Sequence, residues 1–363
     1  MTKPLVSVVM VVCNVERFLA ESIESILRQT FREFEFIIVD FGSTDSSKSI
    51  VSSYAEEDSR VRLHVIPHCG LAEARNAGCS LARGQYLAIM DADDIACDDR
   101  LQQQVDFMGK NPEVGVLGGA VEWIDAGGRS LATMRHPARN SEIQSVLLEH
   151  NPLWQPTVLI RTEAFVAAGG YRAAFAPSED YDLWLRIAEH FQIANLKQVV
   201  LRYRIHPYQV SRRKRRQQTF CALAAQAAAR LRRSGNVDPL ESVEEITTEV
   251  LTALGVSEAT QQATLAGEYL SWIRNMCLAG EYSGALNSVN EMLESSDWEY
   301  AERWVLAEVR LASARIYWKQ RKFMRSALAA AGAVLKRPAL IGRPLKPLVH
   351  GLWHRPAREG IVD

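Results

Sequence analysis

Three aspartates within four positions, placed directly after a short apolar run, constrain this chain more than any other feature. The stretch is Tyr86-Leu87-Ala88-Ile89-Met90-Asp91-Ala92-Asp93-Asp94. Five mostly apolar residues predict a short buried strand, and the carboxylates open where it ends. Like charges held this closely repel each other unless a cation compensates them. Asp91 and Asp93 fall on one side of an extended chain end. Together they can share a divalent ion with a diphosphate. The plainer reading of a lone D-x-D is an acidic loop or a helix N-terminus, so the surroundings have to decide.

Those surroundings repeat one pattern. Apolar runs at 5–12, 36–39 and 63–67 predict further strands, and helical periodicity lies between them. Leu19, Ile23, Ile26 and Leu27 mark one face of a helix over 18–29. Gly42 permits a tight turn, after which Ser43 or Asp45 can cap a helix running through Tyr54. Gly70 opens a third helix carrying Glu73, Arg75 and Asn76. This alternation predicts an α/β fold with a largely parallel sheet, whose ligands bind beyond the carboxyl ends of the strands. Every polar turn lies at those ends. Asn14 is a turn or helix-capping residue, Asp40 is placed for a base or ribose, and Arg75 for a phosphate or the base. No G-x-G-x-x-G or G-x-x-x-x-G-K loop occurs, so phosphates are expected on metal and Arg75 rather than in a backbone cradle.

Ser7-Val8-Val9-Met10, Asn14-Val15-Glu16, residues 25–31, Val39-Asp40, Gly42-Ser43-Thr44-Asp45, Gly70-Leu71-Ala72, residues 74–78 and Asp91-Ala92-Asp93-Asp94 follow one another in an order that resembles family 2 glycosyltransferases. The resemblance covers roughly 4–211. It implies an inverting enzyme with a nucleotide-diphospho-sugar donor, UDP foremost, and Mg²⁺ or Mn²⁺. The fold it implies is of GT-A type: a Rossmann-like mixed sheet with helices on both faces, followed here by an α-helical C-terminal region. Carried over residue by residue, it places Val12, Asn14, Asp40, Phe41, Arg75, Asp91, Ala92 and His206 at the donor, and Asp91, Asp93 and His206 at the metal. Two departures stand out. Val11 and Cys13 replace a usual Pro and aromatic residue, and Phe41 replaces the second Asp of a pair. A phenyl ring cannot accept a hydrogen bond from a base edge, so Phe41 either stacks on the base or packs beside the sheet end.

Further along, Trp154 is read as a sugar platform or a core residue, next to Gln155 where the family often has His. Ser178 is expected to cap a helix whose first turn holds Glu179, Asp180 and Asp182, where the helix dipole favours ionised carboxylates. Capping is the plain reading; the resemblance assigns the catalytic base to Asp180, with Glu179 supporting it near the acceptor. Tyr203-Arg204-Ile205-His206 and Ser211 resemble the family's closing motif. The run Arg212-Arg213-Lys214-Arg215-Arg216 is either a solvated face or a basic lid over the pyrophosphate.

The 363 residues suffice for two moderate domains, and a formal charge of −1 argues against a bulk nucleic-acid binder. Six scattered cysteines fit reduced thiols in a cytoplasmic protein. The expected division is 1–216 for transfer, 217–335 for an α-helical domain, and 336–363 for a basic tail. Helices are expected at 222–231 and 243–254, with two hairpins weakly resembling tetratricopeptide repeats at 269–293 and 304–335. The helical part offers a route to homo-oligomers. The tail carries Lys336, Arg337, Arg343, Lys346, Arg355 and Arg358 among apolar residues, either as a solvated segment or as a peripheral contact with the inner face of a membrane, suiting a lipid-linked acceptor. Two other functions compete with sugar transfer to a saccharide or lipid-linked hydroxyl: a sugar nucleotidyltransferase, and a catalytically weak relative that recruits partners.

Overall fold

The computed structural model of the chain describes residues 3–207, 209, 214–294 and 303–337. The described residues of Met1–Arg204 and Arg216–Val256 form one compact unit, and those of Ile205–Arg215 and Ser257–Asp363 a second.

In the first unit, β1 (Val6–Val12), α1 (Glu16–Leu27), β2 (Phe34–Asp40), α2 (Ser47–Glu57), β3 (Val61–Val65), α3 (Leu71–Ser80) and β4 (Tyr86–Met90) alternate as the apolar runs predict. β1 and β2 are buried almost throughout, because helices cover both faces of the sheet. β3 ends two residues earlier than expected, and the Ile66 amide then bonds to the Asp40 carbonyl at 2.9 Å. Next come β5 (Ile95–Ala96), α4 (Arg100–Lys110), β6 (Val114–Ile124), β7 (Ser130–Met134), α5 (Asn140–Val146), β8 (Leu159–Arg161), α6 (Thr162–Ala167), α7 (Glu179–Ile187) and β9 (Gln192–Arg204).

The strands run in the order β3-β2-β1-β4-β8-β6-β9-β5, with β7 on β6. Pairing is parallel from β3 to β4 and between β6 and β9, and antiparallel where β8 joins β4 and β6. The sheet is therefore mixed. β1 lies between β2 and β4, so chain crossings leave it in both directions and open a crevice at its carboxyl end.

α8 (Arg215–Arg233) begins at the expected border between domains, but it does not open a separate domain. Phe220, Cys221, Leu223, Ala224, Ala225 and Ala228 join the core that contains Tyr181, Leu183 and Trp184 of α7. Small residues let α8 approach closely, and Leu240, Ile246 and Leu251 complete the packing. The Ala-rich composition of 217–256 marks a docked helix rather than a new domain. The helix expected over 243–254 shortens to α9 (Thr248–Ala253), capped by Thr247, whose hydroxyl accepts the Val250 N–H at 3.4 Å.

The second unit contains α10 (Glu258–Leu278), α11 (Tyr282–Glu294), α12 (Arg303–Lys319) and α13 (Phe323–Lys336). Gly280 and Arg321 take positive φ values of 78° and 59° at the turns that join each pair. Among the described residues, no helix is long and apolar enough to cross a membrane. Ser211, Arg212, Arg213 and the tail beyond Arg337 lie outside the described residues.

Candidate functional site

The crevice corner nearest β2 is built around Asp40, which is 1% exposed. Its Oδ1 accepts the N–H groups of Gly42 and Ser43 at 3.1 and 3.0 Å. Gly42 sits at φ +103°, and a Cβ there would lie 3.0 Å from His68 Cβ, so the turn needs glycine. Asp40 Oδ2 is buried and has no hydrogen-bond partner among the described residues. Val12 ends β1, and its carbonyl accepts the Phe41 N–H at 3.1 Å. Phe41 is half-buried, and its ring stacks on His68 at 6.2 Å and 15°. Burial, helped by Asp40 and Asp45, holds the Cys13 thiol above its ordinary value.

Asn14 does not cap α1; Val15 occupies that position without a side-chain bond. Asn14 takes φ +56° instead, and its Oδ1 accepts the Thr44 N–H at 2.8 Å, the Thr44 hydroxyl at 3.1 Å and the Asp45 N–H at 3.2 Å. It stitches the two loops that border the corner.

At the end of β4 the three aspartates separate. Asp94 is fully buried; its Oδ1 accepts the Arg204 N–H at 2.8 Å, tying the turn to β9. Asp93 and Asp91 remain half-buried, and Ala92 between them turns inward. Asp91 Oδ1 accepts from Arg75 Nη2 at 3.1 Å. Burial pushes the Asp91 carboxyl up; Arg75 opposes the shift and Asp93 adds to it. Two hard carboxylates that repel each other suit Mg²⁺ or Mn²⁺, which bind to one or two protein carboxylates and complete their shells with phosphate and water oxygens. Asp91 and Asp93 thus fit the metal that the sequence implies.

Arg75, on α3, is the hinge of the site. Its second arm, Nη1, donates to Glu179 Oε1 at the start of α7. Burial disfavours the guanidinium charge, but Glu179 and Asp91 more than offset it and raise the pKa. Asp180 follows Glu179. It keeps some accessible surface, yet protein atoms crowd it enough to push its carboxyl up to about 7, burial first and Glu179 second, against Arg75. Its Oδ2 accepts from Asn151 Nδ2 at 3.2 Å. Ser178 stands at the helix start, but its hydroxyl donates to the Gln218 carbonyl at 2.9 Å instead of capping α7.

Residues 7–171 match the family model described as glycosyl transferase family 2. An uncharacterised glycosyltransferase of Methanocaldococcus jannaschii is 34% identical over 210 residues, covering 56% of this chain and 72% of that relative. The chain belongs to glycosyl transferase family 2. The O-antigen biosynthesis glycosyltransferase WbnJ of Escherichia coli is 31% identical over 207 residues, covering 56% of this chain and 80% of its own. Among solved structures, S. aureus TarS 1-349 in complex with UDP-GlcNAc aligns with a TM-score of 0.51 at 17% identity, over 91% of this chain and 88% of that one. The mannosyltransferase PcManGT from Pyrobaculum calidifontis, in complex with GDP-Man and Mn²⁺, aligns with 0.50 at 18% identity, over 93% and 87%. At such identities the likeness speaks for the fold, which is of GT-A type.

In this family 2 chain, Trp154 lies half-buried within an aromatic cluster. It contacts Tyr203 edge-on at 4.6 Å, Trp123 at 6.0 Å and His136, whose ring nitrogen receives its N–H. Burial lowers His136 to about 4, which keeps it neutral and able to accept that bond. Gln155 is buried and donates to the Tyr171 hydroxyl at 2.7 Å. His206 belongs to the second unit, where its backbone N–H donates to Gln209 at 3.4 Å. Asp40, Arg75, Asp91, Asp93, Glu179 and Asp180 all belong to the first unit.

Sequence reasoning missed Asn151. Its Oδ1 accepts the Leu153 N–H at 3.1 Å, which orients the amide so that Nδ2 faces Asp180. An Asn-Pro pair signals a turn, but nothing in the spacing signals a partner 29 positions on.

Proposed function

We propose that the protein is an inverting, metal-dependent glycosyltransferase. It moves a sugar from a nucleotide-diphosphate donor to a hydroxyl of a saccharide or lipid-linked acceptor in polysaccharide or glycoconjugate biosynthesis. The observation that carries this reading is the bridge from Asp91 through Arg75 to Glu179. It sets Asp180, a half-buried carboxylate with a raised pKa, beside the carboxylates suited to a cation. The name of WbnJ, a relative in O-antigen biosynthesis, supports the biosynthetic setting.

Asp91 and Asp93 would hold Mg²⁺ or Mn²⁺, which when bound offsets charge on the departing diphosphate. Asp180 takes the proton of the acceptor hydroxyl as that oxygen forms its bond to the anomeric carbon. The bond from carbon to the phosphate oxygen breaks, and its electron pair leaves with the diphosphate. Attack from the face opposite the leaving group inverts the configuration. A carboxylate with a pKa near 7 is a stronger base than an ordinary aspartate and remains half ionised at neutral pH. Asn151 holds one of its oxygens and leaves the other for the acceptor.

UDP is the donor nucleotide favoured by the base corner. Asp40 offers one unpartnered oxygen, since Oδ1 is already taken, and Phe41 offers a ring. Uracil presents a single N–H donor; guanine presents two adjacent donors and would leave one unmatched. Calorimetric titration with UDP, GDP, dTDP and CDP, with and without Mn²⁺, tests the reading. UDP binding that needs Mn²⁺ is expected. Binding of none of them by the folded protein moves the function to partner recruitment, and preference for GDP overturns the assignment of the corner.

A further inference from the structure

Among the described residues, the second unit carries on α13 a surface that nothing in the donor site explains. Trp318 and Phe323 meet edge-on at the α12–α13 turn with ring centroids 5.0 Å apart, and each is about half exposed. From there Met324, Leu328, Ala331 and Leu335 continue at helical spacing along α13. Met324 is 81%, Leu328 71% and Leu335 83% exposed. Ser326 and Ala333, half a turn round the helix, are the positions α13 packs inward; Ser326 Oγ donates to the Ala314 carbonyl of α12 at 2.7 Å. The apolar stripe therefore faces away from the unit's own core. The outer face of a helical hairpin stack is normally polar.

Charge surrounds the stripe. Lys319, Arg321, Lys322, Arg325 and Lys336 are exposed, and none of them pairs with an acid among the described residues. In sequence, no Asp or Glu lies between Glu308 and Glu359, a span that holds twelve Lys or Arg. We infer that this face of α13, with the Trp318–Phe323 pair at its end, docks on the surface of an anionic lipid bilayer. Aromatic and aliphatic side chains enter the boundary between headgroups and acyl chains, while Lys and Arg reach the lipid phosphates. A second copy of the chain would set two cationic faces against each other. A nucleic acid would meet the charges but leave the aliphatic stripe without use.

Flotation of the full chain with phosphatidylcholine vesicles, with and without 30 mol% phosphatidylglycerol, tests this inference. The protein should float with the anionic vesicles and not with the neutral ones, and added salt should release it. Leu328→Glu should weaken partition by about tenfold or more. Lys322→Gln and Arg325→Gln should each cost about fivefold. These side chains are exposed and lie outside the donor site, so nucleotide binding and circular dichroism should not change. Failure to float, or equal flotation with neutral vesicles, overturns the inference. So does insensitivity to Leu328→Glu when the charge variants lose binding, which marks a polyanion such as RNA. Loss of a dimer by light scattering in Leu328→Glu, without vesicle binding by the parent, assigns the face to a second copy.

Discussion

The end of β4 and the start of α7 each place three carboxylates within four residues, and each divides them in the same way. Asp94 and Asp182 are fully buried and serve the fold: the first holds β9, the second pairs with Arg172 and Arg186. Asp91 and Glu179 grip the two arms of Arg75. Asp93 and Asp180 are half-buried at the crevice. The difference between the clusters lies in their counter-charge. Arg75 is common to both clusters; α7 adds Arg172 and Arg186 on Asp182 and sets the Asn151 amide on Asp180, whereas at β4 Asp94 takes the Arg204 N–H and the charge of Asp93 helps to raise the Asp91 pKa. The first arrangement suits a proton acceptor and the second a cation.

The sharpest break of this parallel is Asp180→Asn. Sugar transfer should fall by about 10²- to 10⁴-fold, with donor affinity nearly unchanged by calorimetry. Because folding raises the Asp180 pKa from 3.8 to about 7, the native state binds the extra proton between those values. The carboxylate therefore costs stability as pH rises through that window. Asp180→Asn should melt higher than the parent at pH 8 and equally at pH 4. Lost binding with unimpaired single-turnover chemistry would remove Asp180 from its role.

Asp182→Ala should do the reverse. It takes the fully buried carboxylate from Arg172 and Arg186, leaving the first to Asp238 and the second to the Ala168 and Gly170 carbonyls, a loss of about 3–5 kcal/mol, read as a lower denaturation midpoint. Transfer per folded molecule should hold. If the Asp182 variant loses activity without losing stability, the two neighbours have exchanged roles and the comparison fails.

How much of this was legible in the sequence depends on the range of the interactions. β1 to β4 and the helices between them follow from uninterrupted apolar runs and helical periodicity, and the placement of Asp40 and Asp91 at strand ends from where those runs stop. The split among Asp91, Asp93 and Asp94 was not legible, because Arg75 and the Arg204 amide reach them across the fold. The same holds for Ser178, whose hydroxyl found the Gln218 carbonyl rather than its own helix. Composition misplaced the 216/217 border because an Ala-rich helix reads alike whether it starts a domain or docks on one. Phe41 was legible as a departure, but its stacking on His68 was not.

Asn151→Ala makes the smallest and most specific change, sharpening the contrast between amide and guanidinium as neighbours. Asp180 is faced by Glu179 and Asp91, which favour its neutral form, and by Arg75, the Tyr181 N–H and Asn151, which favour its charged form. Removing the Asn151 donor therefore raises the Asp180 pKa further. The acid limb of kcat/KM should move to higher pH by on the order of one unit. The variant should lag the parent several-fold at pH 6.5 and approach it at pH 9, with donor affinity unaltered. Asn151→Gln, which keeps an amide but lengthens its arm, should recover part of the shift. A uniform loss at every pH would show that Asn151 only shapes its loop, since a loop defect lowers the rate without moving the titration.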